Sequence, residues 1–136
     1  MSADAAREVW LLMTDLVLDT TRRREVSDAL GMSFGRTRAI RRLARAPMSM
    51  RELAAALGID PPNATVVVSE LEAQGLAQRR PHPTDGRAKL VEATPKGKEL
   101  ARRADEILAT PPPGLAELDS EELATLRRLL TRSRVT

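Results

Sequence analysis

A mainly α fold with a small β-hairpin wing, a winged helix-turn-helix flanked by N- and C-terminal dimerisation helices, is the class that this sequence predicts. Three observations carry the expectation. Two short helices with clear capping signals meet at a three-residue turn that begins at Gly58. A basic hairpin follows, from Leu76 to Ala93. Both ends of the chain carry helices with more apolar surface than one small domain can use. At 136 residues the chain reads as a single domain over 1–136, with 33–97 as the winged-helix lobe and 1–30 and 98–136 as dimerisation helices.

From Ala3 to Leu30 the pattern is helical, either as one long helix or as two with a break near Arg22, Arg23 and Arg24. Ala6, Val9, Trp10, Met13, Leu16 and Val17 recur at helical spacing, with Leu11, Leu12 and Leu18 off that stripe. The apolar girth is wider than one face needs. One side is therefore expected to pack on its own domain and the other, through Val9, Trp10 and Met13, on a second subunit. The three arginines read as a solvated face. Ser33 can cap a helix from Phe34 to Ala46, whose Ile40, Leu43 and Ala44 point inward while Arg36, Arg38, Arg41, Arg42 and Arg45 coat the rest. Such a run is usually solvated. Because this helix leads directly into the helix-turn-helix, Arg36 and Arg38 are nonetheless candidates to touch phosphate.

Ser49-Met50-Arg51-Glu52 is a capping box, in which the Ser49 hydroxyl takes the Glu52 amide and the Glu52 carboxylate reaches back; Met48 and Leu53 flank it as a hydrophobic staple. Leu53, Ala54 and Leu57 form the buried stripe, and Gly58 supplies the left-handed residue that ends the helix. A second helix starts at once, with Asp60 as N-cap and Pro61 in the first turn, where its missing N–H costs nothing. Up to Gln74 it turns Ala64, Val67, Val68 and Leu71 inward, and Pro62, Asn63, Thr65, Val66 and Ser69 outward. These outward side chains are short and uncharged, so the helix can approach a major groove closely. Asn63 could read adenine, Ser69 either kind of base, and the methyl groups of Thr65 and Val66 a thymine methyl. Taken alone, the face could equally be an ordinary solvated one, since the helix holds no Arg or Lys.

The segment after Gly75 favours the first reading. Leu76 to Arg80 reads as a strand, Lys89 to Ala93 as its return, and Pro81 to Arg87 as the loop, with Asp85-Gly86 as the turn dipeptide. Arg79, Arg80, Arg87 and Lys89 stand against Asp85 and Glu92, so the hairpin is basic. Its tip is placed to meet phosphates or to slip an arginine into a minor groove. Thr94-Pro95 then caps a helix to Ala109 with Leu100, Ala104, Ile107 and Leu108 on one face, which Pro111-Pro112-Pro113 must end. A last helix opens on the capping-box sequence Asp119-Ser120-Glu121-Glu122; its Leu123, Leu126, Leu129 and Leu130 make a leucine face, of which Leu123, Leu126 and Leu130 are expected at the subunit interface.

Four of these pieces, in order and at the right spacing, resemble the multiple-antibiotic-resistance regulator (MarR) family. They are Arg51-Glu52-Leu53-Ala54, the helix ending Ser69-Glu70-Leu71-Glu72-Ala73-Gln74-Gly75-Leu76, the wing Pro83-Thr84-Asp85-Gly86-Arg87, and the closing Ala93-Thr94-Pro95-Lys96-Gly97. The resemblance implies that Arg87 enters the minor groove, that Asp85 holds the wing in shape, and that the terminal helices dimerise. It also implies small anionic or phenolic effectors. One departure is Glu70, where members often have a basic residue. Arg51 and Lys89 complete the residues expected to contact DNA.

Composition narrows the function classes. A formal charge of +3 with 22 Lys and Arg means that any basic patch must come from clustering. No cysteine occurs, which removes disulfides, thiolate metal sites and cysteine-based sensing. No run of about 18 apolar residues and no signal-like start is present, so a cytoplasmic protein without a membrane span is expected. The single His82 sits between two prolines with no second His and no facing carboxylate pair. No catalytic residue, cofactor or metal is expected. The expected function is a dimeric, sequence-specific regulator that binds a palindromic operator in double-stranded DNA, as a repressor open to release by an effector. The alternative is a winged-helix architectural or protein-interaction module without sequence readout.

Overall fold

The computed structural model describes residues 2–17 and 20–134. Its elements run α1 (Ser2–Val17), α2 (Thr20–Leu30), α3 (Phe34–Arg45), β1 (Met48–Ser49), α4 (Met50–Leu57), α5 (Pro61–Ala73), β2 (Ala77–Pro81), β3 (Lys89–Ala93), α6 (Pro95–Ala109), α7 (Pro113–Ala116) and α8 (Ser120–Ser133). The expected class, mainly α with a small wing, is what the chain adopts. Leu18 lies outside the described residues.

Local chemistry sets most boundaries. The Ser33, Asp60 and Thr94 side chains accept the backbone amides of Arg36, Asn63 and Gly97, and complete capping boxes form at Ser49–Glu52 and Asp119–Glu122. Gly58, at φ +67°, sends its amide back to the Ala54 and Ala55 carbonyls, so α4 ends where a left-handed residue is cheap.

The arginine triplet lies inside α2, which is described from Thr20 onward. Two boundaries differ from the sequence reading. Pro81 is the last residue of β2 and not part of the loop; it pairs with Lys89 on an outer strand, where a missing donor is tolerated. Pro113, read within a helix-ending run, also starts the single turn of α7, because proline suits a first helical position.

The sheet is antiparallel in the order β1-β3-β2, with Met48 opposite Val91, Ala77 opposite Ala93, and Arg79 opposite Val91. β1 is an addition to the sequence reading: Met48, half of the hydrophobic staple, also pairs with β3 through β1 and so holds the start of α4 against the wing. One sheet face, carrying Ala77, Val91 and Ala93, closes on Ile40, Leu43, Leu53, Leu57, Val68 and Leu71. Ala101 of α6 belongs to the same core and Leu30 of α2 packs against it, while Val26 and Ala104 are buried as well. Thr37 is the one buried polar residue among those described; its hydroxyl donates to the Ser33 carbonyl at 3.0 Å.

α1 and α8 bury no residue. The expected inward side of α1 is not met within this chain: Trp10 is 62% exposed and Val17 72%, and only Met13 and Thr14 are half-buried. Among the described residues no helix is long and apolar enough to cross a membrane.

Candidate nucleic-acid interface

Two elements converge on one concave surface. Pro62, Asn63, Thr65, Val66 and Ser69 are all exposed on one side of α5, as expected, because Ala64, Val68 and Leu71 take the opposite side into the core. Beside that face the wing rises, and between the two lies a cleft of about 640 Å³ lined by Arg51, Thr65, Arg79, Asp85 and Lys89 together with the start of α4. Strand alternation explains the cations. Arg79 and Lys89 sit two residues from Ala77 and Val91, so they extend from the same sheet face and look toward α5. Arg80 takes the other face, where it pairs with Glu92 at 3.2 Å.

The exposed side chains of α5 are held in specific ways. Asp60 takes the Asn63 backbone amide on Oδ1 and the Asn63 Nδ2 on Oδ2, each at 2.8 Å. A carboxamide has two N–H donors, so one donor and the carbonyl oxygen of Asn63 stay available for an adenine edge. Thr65 donates its hydroxyl to the Pro61 carbonyl at 3.0 Å, which leaves its methyl group as the outward feature. Ser69 accepts from Arg79 at 3.4 Å, and Arg79 also faces Glu72 at 3.4 Å.

The wing is shaped by its own polar groups. Asp85 Oδ1 accepts the Arg87 amide at 3.0 Å, the Asp85 carbonyl accepts from Ala88 at 3.1 Å, and the His82 amide donates to the Ala88 carbonyl at 3.2 Å. The His82 Nδ1 accepts the Thr84 and Asp85 amides at 3.2 Å each, so the lone histidine organises the loop. Among the described residues Arg51, Arg87 and Lys89 have no hydrogen-bonded or ion-paired side-chain partner.

Arg36 and Arg38 lie apart from this cleft. The Arg36 guanidinium pairs with Glu70 at 2.5 Å, which ties α5 to α3. Arg38 reaches the Leu57 carbonyl at 3.5 Å. Sequence reasoning left Arg79 out of the contact set, although the two-residue period from the buried Ala77 was the available signal.

A second cavity, of about 580 Å³, opens where α1, α2, α3, α6 and α8 approach one another. Met13, Leu16, Phe34, Leu108 and Leu126 give it apolar walls, and Arg22 and Arg23 stand at its side. Arg23 lies 5.0 Å from the Phe34 ring centre and Arg22 donates to the Ile107 carbonyl at 3.3 Å. Trp10 belongs to a neighbouring hollow between α1 and α8. On the outer face of α6, hydrogen bonding from Arg102 lowers the Glu99 carboxyl, and the Arg102 guanidinium is raised by the same bond. No three His, Asp or Glu side chains converge among the described residues.

Residues 30–88 match the family model described as MarR family. A curated HTH-type transcriptional regulator of Mycobacterium bovis is 40% identical over 73 residues, 52% of this chain and 44% of that protein. The chain thus spans less than half the length of the curated relatives it matches. Wild-type MarR of E. coli in its apo form covers 92% of this chain and 94% of its own with a TM-score of 0.72 at 21% identity, a likeness of fold. A mutant E. coli MarR complexed with operator DNA covers 93% of this chain and 94% of its own, with TM-score 0.62 and 20% identity. NadR in complex with 4-hydroxyphenylacetate covers 91% of this chain and 89% of its own, with TM-score 0.68 and 25% identity.

Proposed function

We propose, for a chain that belongs to the MarR family through the winged helix at residues 30–88, that it is a dimeric, sequence-specific DNA-binding regulator, a repressor acting on a palindromic operator. The observation that carries this reading is the pairing of an uncharged, exposed α5 face with a cleft whose Arg51, Arg79 and Lys89 face it. The helix would read base edges, and the cleft and wing tip would hold the phosphates on either side. That an operator complex has been solved for a protein of this fold supports the reading.

Selection of bound duplexes from a random pool by the purified protein tests it. The expected product is an inverted repeat with half-sites about 34 to 36 Å apart. Recovery of duplexes with no common sequence would instead favour an architectural or protein-interaction module. We place control of binding at the cavity between α1 and α6, where Arg22 and Arg23 beside apolar walls suit a small anionic or phenolic effector; the NadR complex supports this chemistry by analogy. Release of the selected duplex by such a compound, lost in Arg23→Ala, is the expected result.

The wing and the helix should fail in different ways. Arg87 is an exposed cation without a side-chain partner, so Arg87→Ala is expected to weaken binding to every sequence and to lower the salt slope by about one unit. Asn63→Ala removes a hydrogen-bonding edge and no charge. It should leave the salt slope unchanged and relax preference at one base pair, at roughly 1 to 3 kcal/mol on the selected site. Uniform losses with equal slope changes for both variants, measured over a panel of half-site variants, would mean that α5 reads no bases.

A further inference from the structure

We propose that Arg38, Arg41, Arg42 and Arg45 form a phosphate-binding site on the outer side of α3, separate from the cleft between α5 and the wing. The four occupy positions i, i+3, i+4 and i+7 of one helix, so their side chains emerge along a single stripe. Among the described residues these four alone line a cleft of about 110 Å³. Its size admits a phosphoryl group and little more. Among the described residues the one carboxylate engaged is Asp105 of α6, which meets Arg41 at 2.5 Å. Arg38 leans on the Leu57 carbonyl, and Arg42 and Arg45 have no polar side-chain partner among the described residues.

Four guanidinium groups here face one carboxylate among the described residues, a local excess of positive charge that an anion would offset. The negative end of the α3 dipole accounts in part for Arg42 and Arg45, which lie in its last turn. It does not account for Arg38 and Arg41, or for the convergence of all four. Planar guanidinium forks match phosphate oxygens two at a time, which a lysine stripe would not do. The phosphoryl group could belong to a free polyphosphate or to the nucleic-acid backbone; the recognition chemistry is the same.

Two measurements on the full chain distinguish the sources, comparing Arg42→Gln/Arg45→Gln with the charge-matched control Lys98→Gln/Arg103→Gln on α6. Titration with pyrophosphate at low salt, followed by calorimetry, is the first and needs no DNA. Saturable binding that weakens at least tenfold in the α3 variant and little in the control assigns the cleft to free phosphate. The second is the salt slope on duplex DNA of random sequence. A slope lowered by about one to two units in the α3 variant alone assigns it to the backbone. Equal losses in the two variants, or no loss in either measurement, would overturn the site. The pyrophosphate result stands or falls without reference to operator binding, and matching far-UV circular dichroism melts show that both variants fold.

Discussion

Gly97→Ala is expected to cost about 3 kcal/mol of stability, at the upper end of the range for overpacked sites. A methyl group at this position would lie 2.1 Å from the Leu76 carbonyl oxygen and 2.9 Å from Ile40 Cδ1. The isoleucine can rotate away. The carbonyl cannot, because it accepts the Thr94 amide at 3.0 Å and so fixes the start of the wing to the N-terminus of α6. Either that bond breaks or α6 moves outward, carrying Ala101 and Ala104 out of the core. For a domain of this size the melting temperature should fall by roughly 10 °C. DNA binding should weaken with it, since the root of the wing is displaced. Gly114→Ala is the control: nothing lies within 4 Å of a methyl group there. A Gly97→Ala protein that melts like wild type would show that the close approach of α6 to Leu76 is wrong.

Much of this architecture is written in short-range chemistry and is therefore legible without coordinates. The caps at Ser33, Ser49, Asp60, Thr94 and Asp119 each depend on residues within three positions of one another. The two faces of α5 follow from its apolar period. What escaped the sequence is what depends on distant partners. A two-residue strand such as β1 has no periodicity to detect, and it exists because Met48 and Ser49 meet Val91 and Leu90. Arg36 looks like a free phosphate contact until the fold brings Glu70 to it across the α3–α5 junction. His82 shows no role until the wing turn places two amides on its ring nitrogen. Arg79 is the intermediate case: alternation along β2 gives its face, but only the position of α5 makes that face a cleft.

Trp10→Glu combined with Leu130→Glu is expected to leave the winged-helix lobe folded and to reduce operator affinity by about 10²- to 10⁴-fold. Neither side chain is buried in this chain: Trp10 is 62% exposed and Leu130 41%, and they line one hollow between α1 and α8. Val9, Met13, Leu123 and Leu126 continue the same apolar surface, which α1 and α8 cannot cover for each other. A second subunit that supplied the missing cover would exclude water from it, and two carboxylates placed there would have to be buried without partners. Separation into monomers at micromolar concentration, read by sedimentation, is the first expected result. The loss in affinity follows from avidity: joined lobes make the second half-site contact intramolecular, and that advantage disappears when the lobes part. The salt slope should fall to about half, because half the phosphate contacts remain. A wild-type duplex with five base pairs inserted between half-sites should mimic the affinity loss without dissociating the protein. If the double variant stayed dimeric, or if monomers bound the full operator as tightly as wild type, the terminal helices would not be the dimer interface.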